Sequence, residues 1–407
     1  MEKSLCILGR QPALGMAELE SLYGAEMVRP VGSQAAIINH NYKDINFARL
    51  GGSMRLCEVL DILDTFKWPE IEKHILTYIP SQLRPETNSK IQLGLSVIDL
   101  EVSVPRLMAT GLKLKKVIQS SGHSVRFIPN KVLLLNAAQV IHNGLINPNG
   151  CELLLVRSND KTYLARTVNV QDIANYTIRD RYRPKRDSRV GMLPPKLAQI
   201  IINLAGQELQ FETASNHPRL VRPVRPINLL DPFCGTGVIL QEALLMGYGV
   251  IGTDIEPRMV EYSRTNLEWF KAKFKLPAND YRLDVADATT HNWDYQFTLI
   301  ASETYLGRPF TNYPGSDLLA QTINDCNLIL RKFLINIRDQ LSPGTRLCLA
   351  VPAWQVDTGV FKHLSFIDRL SDLGYNRVSF KHVMSDHLLY YRENQIVGRE
   401  LLVLIRK

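Results

Sequence analysis

A strand, a glycine turn and a helix follow one another without a gap near the middle of the chain, and this feature most constrains the fold. Leu229-Leu230-Asp231 runs into Pro232-Phe233-Cys234-Gly235-Thr236-Gly237, and Val238–Met246 reads as a helix. Glycine has no Cβ and accepts positive φ, so such a turn lets backbone N–H groups approach a ligand closely. After it, strand-like and helix-like runs alternate: Val250–Thr253, Pro257–Phe270, Tyr281–Ala288, Phe297–Ala301, Asp325–Gln340 and Arg346–Val351. That rhythm predicts an α/β domain with a mostly parallel sheet covered on both faces. Two final runs, His387–Tyr391 and Glu400–Ile405, are expected to form a hairpin at one sheet edge.

The loop chemistry narrows the ligand. A dinucleotide pyrophosphate wants three glycines at a helix N-terminus, whereas this loop has two, with Asp231 ahead of them. A carboxylate there repels a phosphate and suits a cationic amino-acid head, which S-adenosylmethionine carries beside its sulfonium. Asp254 ends the next strand, 23 residues after Asp231, near the interval at which an acid meets ribose hydroxyls. Asp287 follows the strand after that and offers an acceptor to an adenine amino group. Three acids at the ends of three successive strands make a nucleoside-cofactor site; helix capping is the plainer use for such carboxylates.

Upstream, the chain divides into an expected small α/β domain at 1–62, a mixed sheet-and-helix domain at 63–175, a linker at 176–190 and the catalytic domain at 191–407. Leu5–Leu8 and Ala35–Asn39 read as strands and Ala13–Leu22 as a helix. Pro80 and Pro85 mark residues 62–90 as loops. Ile91–Ile98, Ser124–Ile128, Glu152–Arg157 and Thr162–Thr167 read as strands, with helices from Pro105 and over Leu135–His142. Residues 179–189 hold six basic and two acidic side chains with no apolar period, hence the linker. The helix after Pro194-Pro195 is apolar nearly all round and is expected to be buried.

The 407 residues carry a formal charge of +8, which points toward a polyanionic partner and leaves an ordinary basic protein equally open. No apolar run reaches the roughly 18 residues of a membrane span, and the start has too short an apolar stretch for a signal peptide. Six scattered cysteines without a C-x-x-C pair argue against disulfides and zinc and for a reducing compartment. A cytoplasmic protein without a metal is the expectation.

The segment Asp231 to Gly237 resembles the cofactor motif of the THUMP-domain tRNA methyltransferases, most closely the archaeal and eukaryotic enzymes that methylate N2 of guanosine 10. Leu135–Asn143 and Leu164–Thr167 are similar to THUMP segments, Arg179-Asp180 and Gly191–Ala198 to the lead into the catalytic domain, and Tyr391-Arg392 and Gly398–Glu400 to its closing hairpin. The resemblance spans roughly residues 90 to 405, and residues 1–62 resemble the small ferredoxin-like domain ahead of THUMP. It implies a Rossmann-like class I methyltransferase with a seven-stranded sheet, S-adenosylmethionine as cofactor and tRNA as substrate. Pro232, Phe233, Cys234, Gly235, Gly237, Ile255 and Ala288 then join Asp231, Asp254 and Asp287 around the cofactor. It leaves open a small activating protein partner and the oligomeric state.

One departure matters. Where the family has Asp-Pro-Pro-Tyr, this chain reads Ser302-Glu303-Thr304-Tyr305-Leu306-Gly307. Aligning on the aromatic puts Ser302 at the acidic position; aligning on the glycine puts Glu303 there. Glu303 is preferred as acceptor or base, with Tyr305 against the target base, because a carboxylate accepts from an N–H and an aromatic stacks. An RNA-binding protein without catalysis, or an enzyme acting on another atom or nucleotide, are the alternatives this departure raises. Lys113, Lys115, Lys116, Arg126 and Lys131, then Arg181, Arg183, Lys185 and Arg186, with Arg219, Arg222 and Arg225 behind them, are the expected RNA contacts. His217 reads as a linker histidine.

Overall fold

The computed structural model describes residues 3–83, 90–187, 192–206, 211–212, 222–223, 227–277, 281–310, 312–393 and 395–407. Arg189, His217, Arg219 and Arg225 lie outside the described residues, as does the side chain of Arg222. The chain forms two compact units: Met1–Pro12, Ala25–Ala48 and Gly52–Ile173 make the first, and Ala13–Gly24, Arg49–Gly51 and Ala174–Lys407 the second.

In chain order the first half contains β1 (Ser4–Leu8), α1 (Pro12–Tyr23), β2 (Val28–Val31), β3 (Ala35–Ile38), β4 (Ser53–Leu63), α2 (Trp68–Gln82), β5 (Ile91–Ile98), α3 (Val104–Ser120), β6 (Val125–Phe127), α4 (Ala137–His142), β7 (Gly150–Ser158) and β8 (Lys161–Val170). The strands of the first unit form one sheet in the order β2-β3-β1-β4-β8-β7-β5-β6. Because β4 pairs antiparallel with both β1 and β8, the boundary expected at residue 62 falls inside the strand that joins the two halves. Of residues 62–90, expected as loops, Trp68–Gln82 form α2 while Pro85 lies outside the described residues; Trp68, Ile71, Ile75 and Ile79 recur at helical spacing and are buried. That apolar stripe outweighs Pro80, which lies in the last turn. The Trp68 indole N–H donates to Thr110 Oγ1 at 3.2 Å and ties α2 to α3. Asn136 and Gln139 form a capping box that starts α4. Inside the sheet, the Glu152 carboxylate accepts from Ser96, Thr167 and Arg55, so this buried carboxylate is fully engaged.

The chain continues with α5 (Ile173–Arg181), α6 (Pro195–Ala205), β9 (Phe211–Glu212), β10 (Arg222–Pro223), β11 (Asn228–Asp231), α7 (Val238–Leu245), β12 (Gly249–Asp254), α8 (Pro257–Phe274), β13 (Tyr281–Val285), β14 (Leu299–Glu303), α9 (Ser316–Arg338), β15 (Arg346–Asp357), β16 (Val360–Lys362), β17 (Tyr375–Arg377), β18 (Leu389–Tyr390) and β19 (Val397–Arg406). The main sheet of the second unit runs β13-β12-β11-β14-β15-β19-β17, with β16 on β15 and β18 on β19. β11 to β15 are parallel and β19 is antiparallel to its neighbours. The closing hairpin is present, but β19 lies between β15 and β17 rather than at an edge. Leu401, Leu402, Val403 and Leu404 are all buried, and a run apolar on both faces belongs in a sheet interior.

Three further differences from the sequence reading stand out. The helix α9 begins at Ser316, not Asp325. The expected linker starts helical, because α5 reaches Arg181. And α1, although it lies in the first 62 residues, belongs to the second unit: Ser21 Oγ donates to the carbonyls of Asn203 and Gly206, while Asn203 Nδ2 donates to Glu18 Oε1 at 2.7 Å. These polar side chains explain why α6, otherwise buried nearly all round, carries an asparagine in its last turn.

Candidate functional site

Parallel pairing brings the C-terminal ends of β11, β12, β13 and β14 to one edge of the second sheet. Asp231 ends β11, Asp254 ends β12, Asp287 follows β13 by two residues, and Glu303 ends β14. The strand order turns at β11, flanked by β12 and β14, and crevices form at such points in open α/β sheets.

The glycine loop leaves β11 at this point. Gly235 (φ +50°) and Gly237 (φ +82°) both lie in the left-handed region, where a side chain is strained, and Gly237 caps α7. A Cβ on Gly237 would meet Ser263 Oγ at 2.8 Å, while one on Gly235 would meet nothing within 4 Å. The loop is therefore closed behind Gly237 and open beside Gly235. Ser263 Oγ donates to the Gly235 carbonyl at 2.9 Å, and Asn266 Nδ2 donates to the carbonyls of Thr236 and Lys185. Both are fully buried on α8, in the stripe otherwise made by Met259, Val260, Leu267 and Phe270. The sequence reading missed them; polar residues at two positions of an apolar helical stripe were the available signal.

Asp231 is buried at 2% exposure. Burial pushes its carboxyl up to about 7, against the bonds from Ser302 Oγ (2.6 Å) and the Phe233 amide (3.3 Å), which favour the charged form. Asp254 is raised for the same reason, and its two oxygens accept the Gly235 and Glu256 amides at 2.9 and 3.0 Å. Asp254 thus shapes the glycine loop while each oxygen retains a lone pair. Asp287 is exposed and accepts from the amide and hydroxyl of Thr289. Ile255 is 62% exposed beside Asp254, whereas Ala288 is buried. Pro232 is buried and its carbonyl takes the Thr253 hydroxyl; Cys234 is buried, and burial holds its thiol well above the usual range. Phe233 packs edge-on against Phe333 of α9, 5.2 Å between centroids.

After β14 the side chains separate. Ser302 is fully buried and engaged with Asp231, so it belongs to the support of the glycine loop. Glu303 alternates to the other face of the strand and accepts from Arg399 Nε at 2.5 Å. Burial pushes the Glu303 carboxyl up and the Arg399 guanidinium pulls it back down. Thr304 is tied by amide and hydroxyl to the Ala350 carbonyl, Tyr305 is 40% exposed, and Gly307 (φ +87°) makes the turn against Thr322 and Trp354.

Among the basic residues, Lys113, Lys116, Arg126 and Lys131 are exposed in the first unit and Lys115 is half-buried; Lys113 is already paired with Glu72 at 3.1 Å. In the second unit Arg181, Lys185 and Arg186 are exposed. Arg183 differs from the expectation of an exposed cation: it is 3% exposed and lies against Asp180. Arg179, in the same charge run, is buried against Glu242 of α7 at 2.9 Å.

The sheet topology and the acids at its strand ends make this an α/β protein of the methyltransferase fold. Over 100% of both chains it matches the crystal structure of TrmN from Thermus thermophilus, with a TM-score of 0.53 and 15% identity. No family model matches. In sequence the chain is 31% identical over 163 residues to the tRNA (guanine(10)-N2)-dimethyltransferase of Methanothermobacter thermautotrophicus, covering 40% of this chain and 39% of that protein. It is 30% identical over 195 residues to the protein of the same name from Pyrococcus abyssi, covering 45% of this chain and 50% of that one. The chain spans half or less of the length of these curated relatives.

Proposed function

We propose that this protein is an S-adenosylmethionine-dependent tRNA methyltransferase acting on the exocyclic N2 amine of a guanosine, of the position-10 type. The observation that carries this reading is the single sheet edge that bears Asp231, Asp254, Asp287 and Glu303 around a glycine loop open at Gly235. The donor set fits the cofactor: Asp231 would hold the cationic amino-acid head, Asp254 the ribose hydroxyls and Asp287 the adenine amine. A buried, unpaired carboxylate such as Asp231 costs free energy that a cationic ligand recovers. When bound, the cofactor supplies a methyl group on a sulfonium. Transfer would form an N–C bond at the amine as the methyl–sulfur bond breaks with its electron pair going to sulfur, and would leave one amine proton for this chain's residues to take.

The chain's own residues make that nitrogen nucleophilic. An exocyclic amine is weak because its lone pair is spread into the ring. Glu303 accepts an N–H bond, localises the pair and receives the proton; exposed Tyr305 stacks on the target base once it leaves its helix. Residues 63–175 serve as a THUMP-like grip on the tRNA, with Lys116, Arg126 and Lys131 among its exposed cations. Glu303→Gln tests this directly. It is expected to slow methyl transfer to a tRNA transcript by about 100-fold or more while leaving RNA affinity within about twofold. Equal losses in both would make Glu303 a structural residue.

A further inference from the structure

Arg399 reaches Glu303 across a strand that lies between them. Glu303 pairs with Ala350 of β15, and Ala350 pairs with Leu401 of β19. Arg399 stands two residues along β19 from Leu401, opposite Pro352, and so on the same face as Glu303. Between the two side chains the intervening strand presents Ala350 and Pro352 to that face, which leaves a long side chain room to cross. The guanidinium Nε meets Glu303 Oε1 at 2.5 Å, with the two side chains 6% and 14% exposed. Glu303 Oε2 has no hydrogen-bond partner among the described residues.

The neighbouring acid shows that this pairing is dedicated. Glu400 points to the opposite face of β19 and takes its own partners, Arg377 at 2.8 Å and His363 at 2.6 Å. Arg399 therefore pairs with Glu303 on β14 and not with its own neighbour on β19, Glu400. A buried ion pair is a poor stabiliser compared with apolar packing, so one placed at the strand ends beside the glycine loop calls for a use.

We propose that Arg399 is a positioning residue for Glu303: it holds Oε1 and leaves Oε2, ionised and fixed in direction, for the substrate amine. This inference rests on the catalytic reading of Glu303 given above. Without the guanidinium, burial and the nearby Asp231 carboxylate act together on the Glu303 carboxyl and favour its protonated form, which cannot accept the amine's proton. The acid limb of the pH–rate profile then moves to higher pH.

The experiment measures methyl transfer from labelled S-adenosylmethionine to a tRNA transcript, with both saturating, from pH 6 to 9, for the full chain and for Arg399→Gln, Arg399→Lys, Glu303→Gln and the Arg399→Gln/Glu303→Gln double variant. In Arg399→Gln the acid limb is expected to rise by about one pH unit or more, as an opposite charge at this distance shifts a carboxyl by that order. Arg399→Lys is expected to return the limb most of the way. The double variant is expected to be no slower than Glu303→Gln, and because it removes both charges it carries the test if Arg399→Gln fails to fold. An unmoved acid limb in Arg399→Gln, or a double variant slower than Glu303→Gln by the full factor of the single Arg399 change, overturns the proposal while Glu303 remains catalytic. A wild-type rate in Glu303→Gln overturns the catalytic reading of Glu303 and the role of Arg399 with it.

Discussion

Asp231→Asn separates what the site needs from what the fold prefers. The Asp231 carboxyl rises from 3.8 to about 7 because it is buried at the end of β11. A shift of about three pK units corresponds to about 4 kcal/mol of folding free energy. The sign follows from the direction: the folded protein holds the proton more tightly than the unfolded chain. Stability from this group is thus complete below pH 3.8, declines as pH rises toward 7, and is flat above, where both states are ionised. Asparagine keeps an oxygen for Ser302 and the Phe233 amide and has no charge to bury. The variant is expected to be more stable than the parent by an amount that grows between about pH 4 and 7 and levels off near 4 kcal/mol. Chemical denaturation at a series of pH values reads this. Cofactor affinity moves the other way: calorimetry is expected to show a loss of about 2 kcal/mol or more at pH 8, since the cationic head loses its partner. In the parent, affinity rises with pH toward 7 and binding releases a proton below it; in the variant both effects vanish. A variant less stable than the parent at pH 8, or a stability difference that does not change with pH, would refute the placement of an unpaired buried charge at Asp231.

Gly235→Ala is expected to fold, at a cost of about 1 kcal/mol for a side chain at positive φ, yet to lose cofactor binding by tenfold or more because its methyl enters the open side of the loop; unaltered calorimetric affinity would move the cofactor elsewhere. Arg179→Met strands Glu242 in the interior and is expected to cost about 3–5 kcal/mol at pH 8, with less lost at pH 5 as Glu242, whose carboxyl already lies at about 7, takes up its proton. Melting at the two pH values checks it. Ile75→Ala, on the buried face of α2, is expected to cost about 2–5 kcal/mol without changing affinity for the cofactor.

The parts of the molecule that were legible in the sequence are those whose signal is local. The run from Leu229 to Gly237 declares a strand and a turn, with the helix opening at the next residue, and the acids 231, 254 and 287 come to one edge because parallel strands must end together. What escaped is non-local. β4 hides in a stretch whose apolar residues are buried by β1 and β8, more than forty and a hundred residues away along the chain. The placement of α1 depends on Asn203, which nothing near residue 21 announces. Arg183 reads as a surface charge because a charge run is usually solvated, yet α5 carries the run inward so that Arg179 meets Glu242. Glu303 was readable only as one of two registers, since Ser302 and Glu303 point to opposite faces of β14 and only their partners, Asp231 and Arg399, distinguish them.

The measurement closest to the central claim is nucleoside mass spectrometry of an unmodified tRNA transcript incubated with the full chain and isotope-labelled S-adenosylmethionine. Transfer assisted by Glu303 to the N2 amine predicts labelled N2-methylguanosine from the parent and almost none from Glu303→Gln. A transcript without label, from protein that binds the cofactor by calorimetry, or a label carried by a different nucleoside, would contradict it.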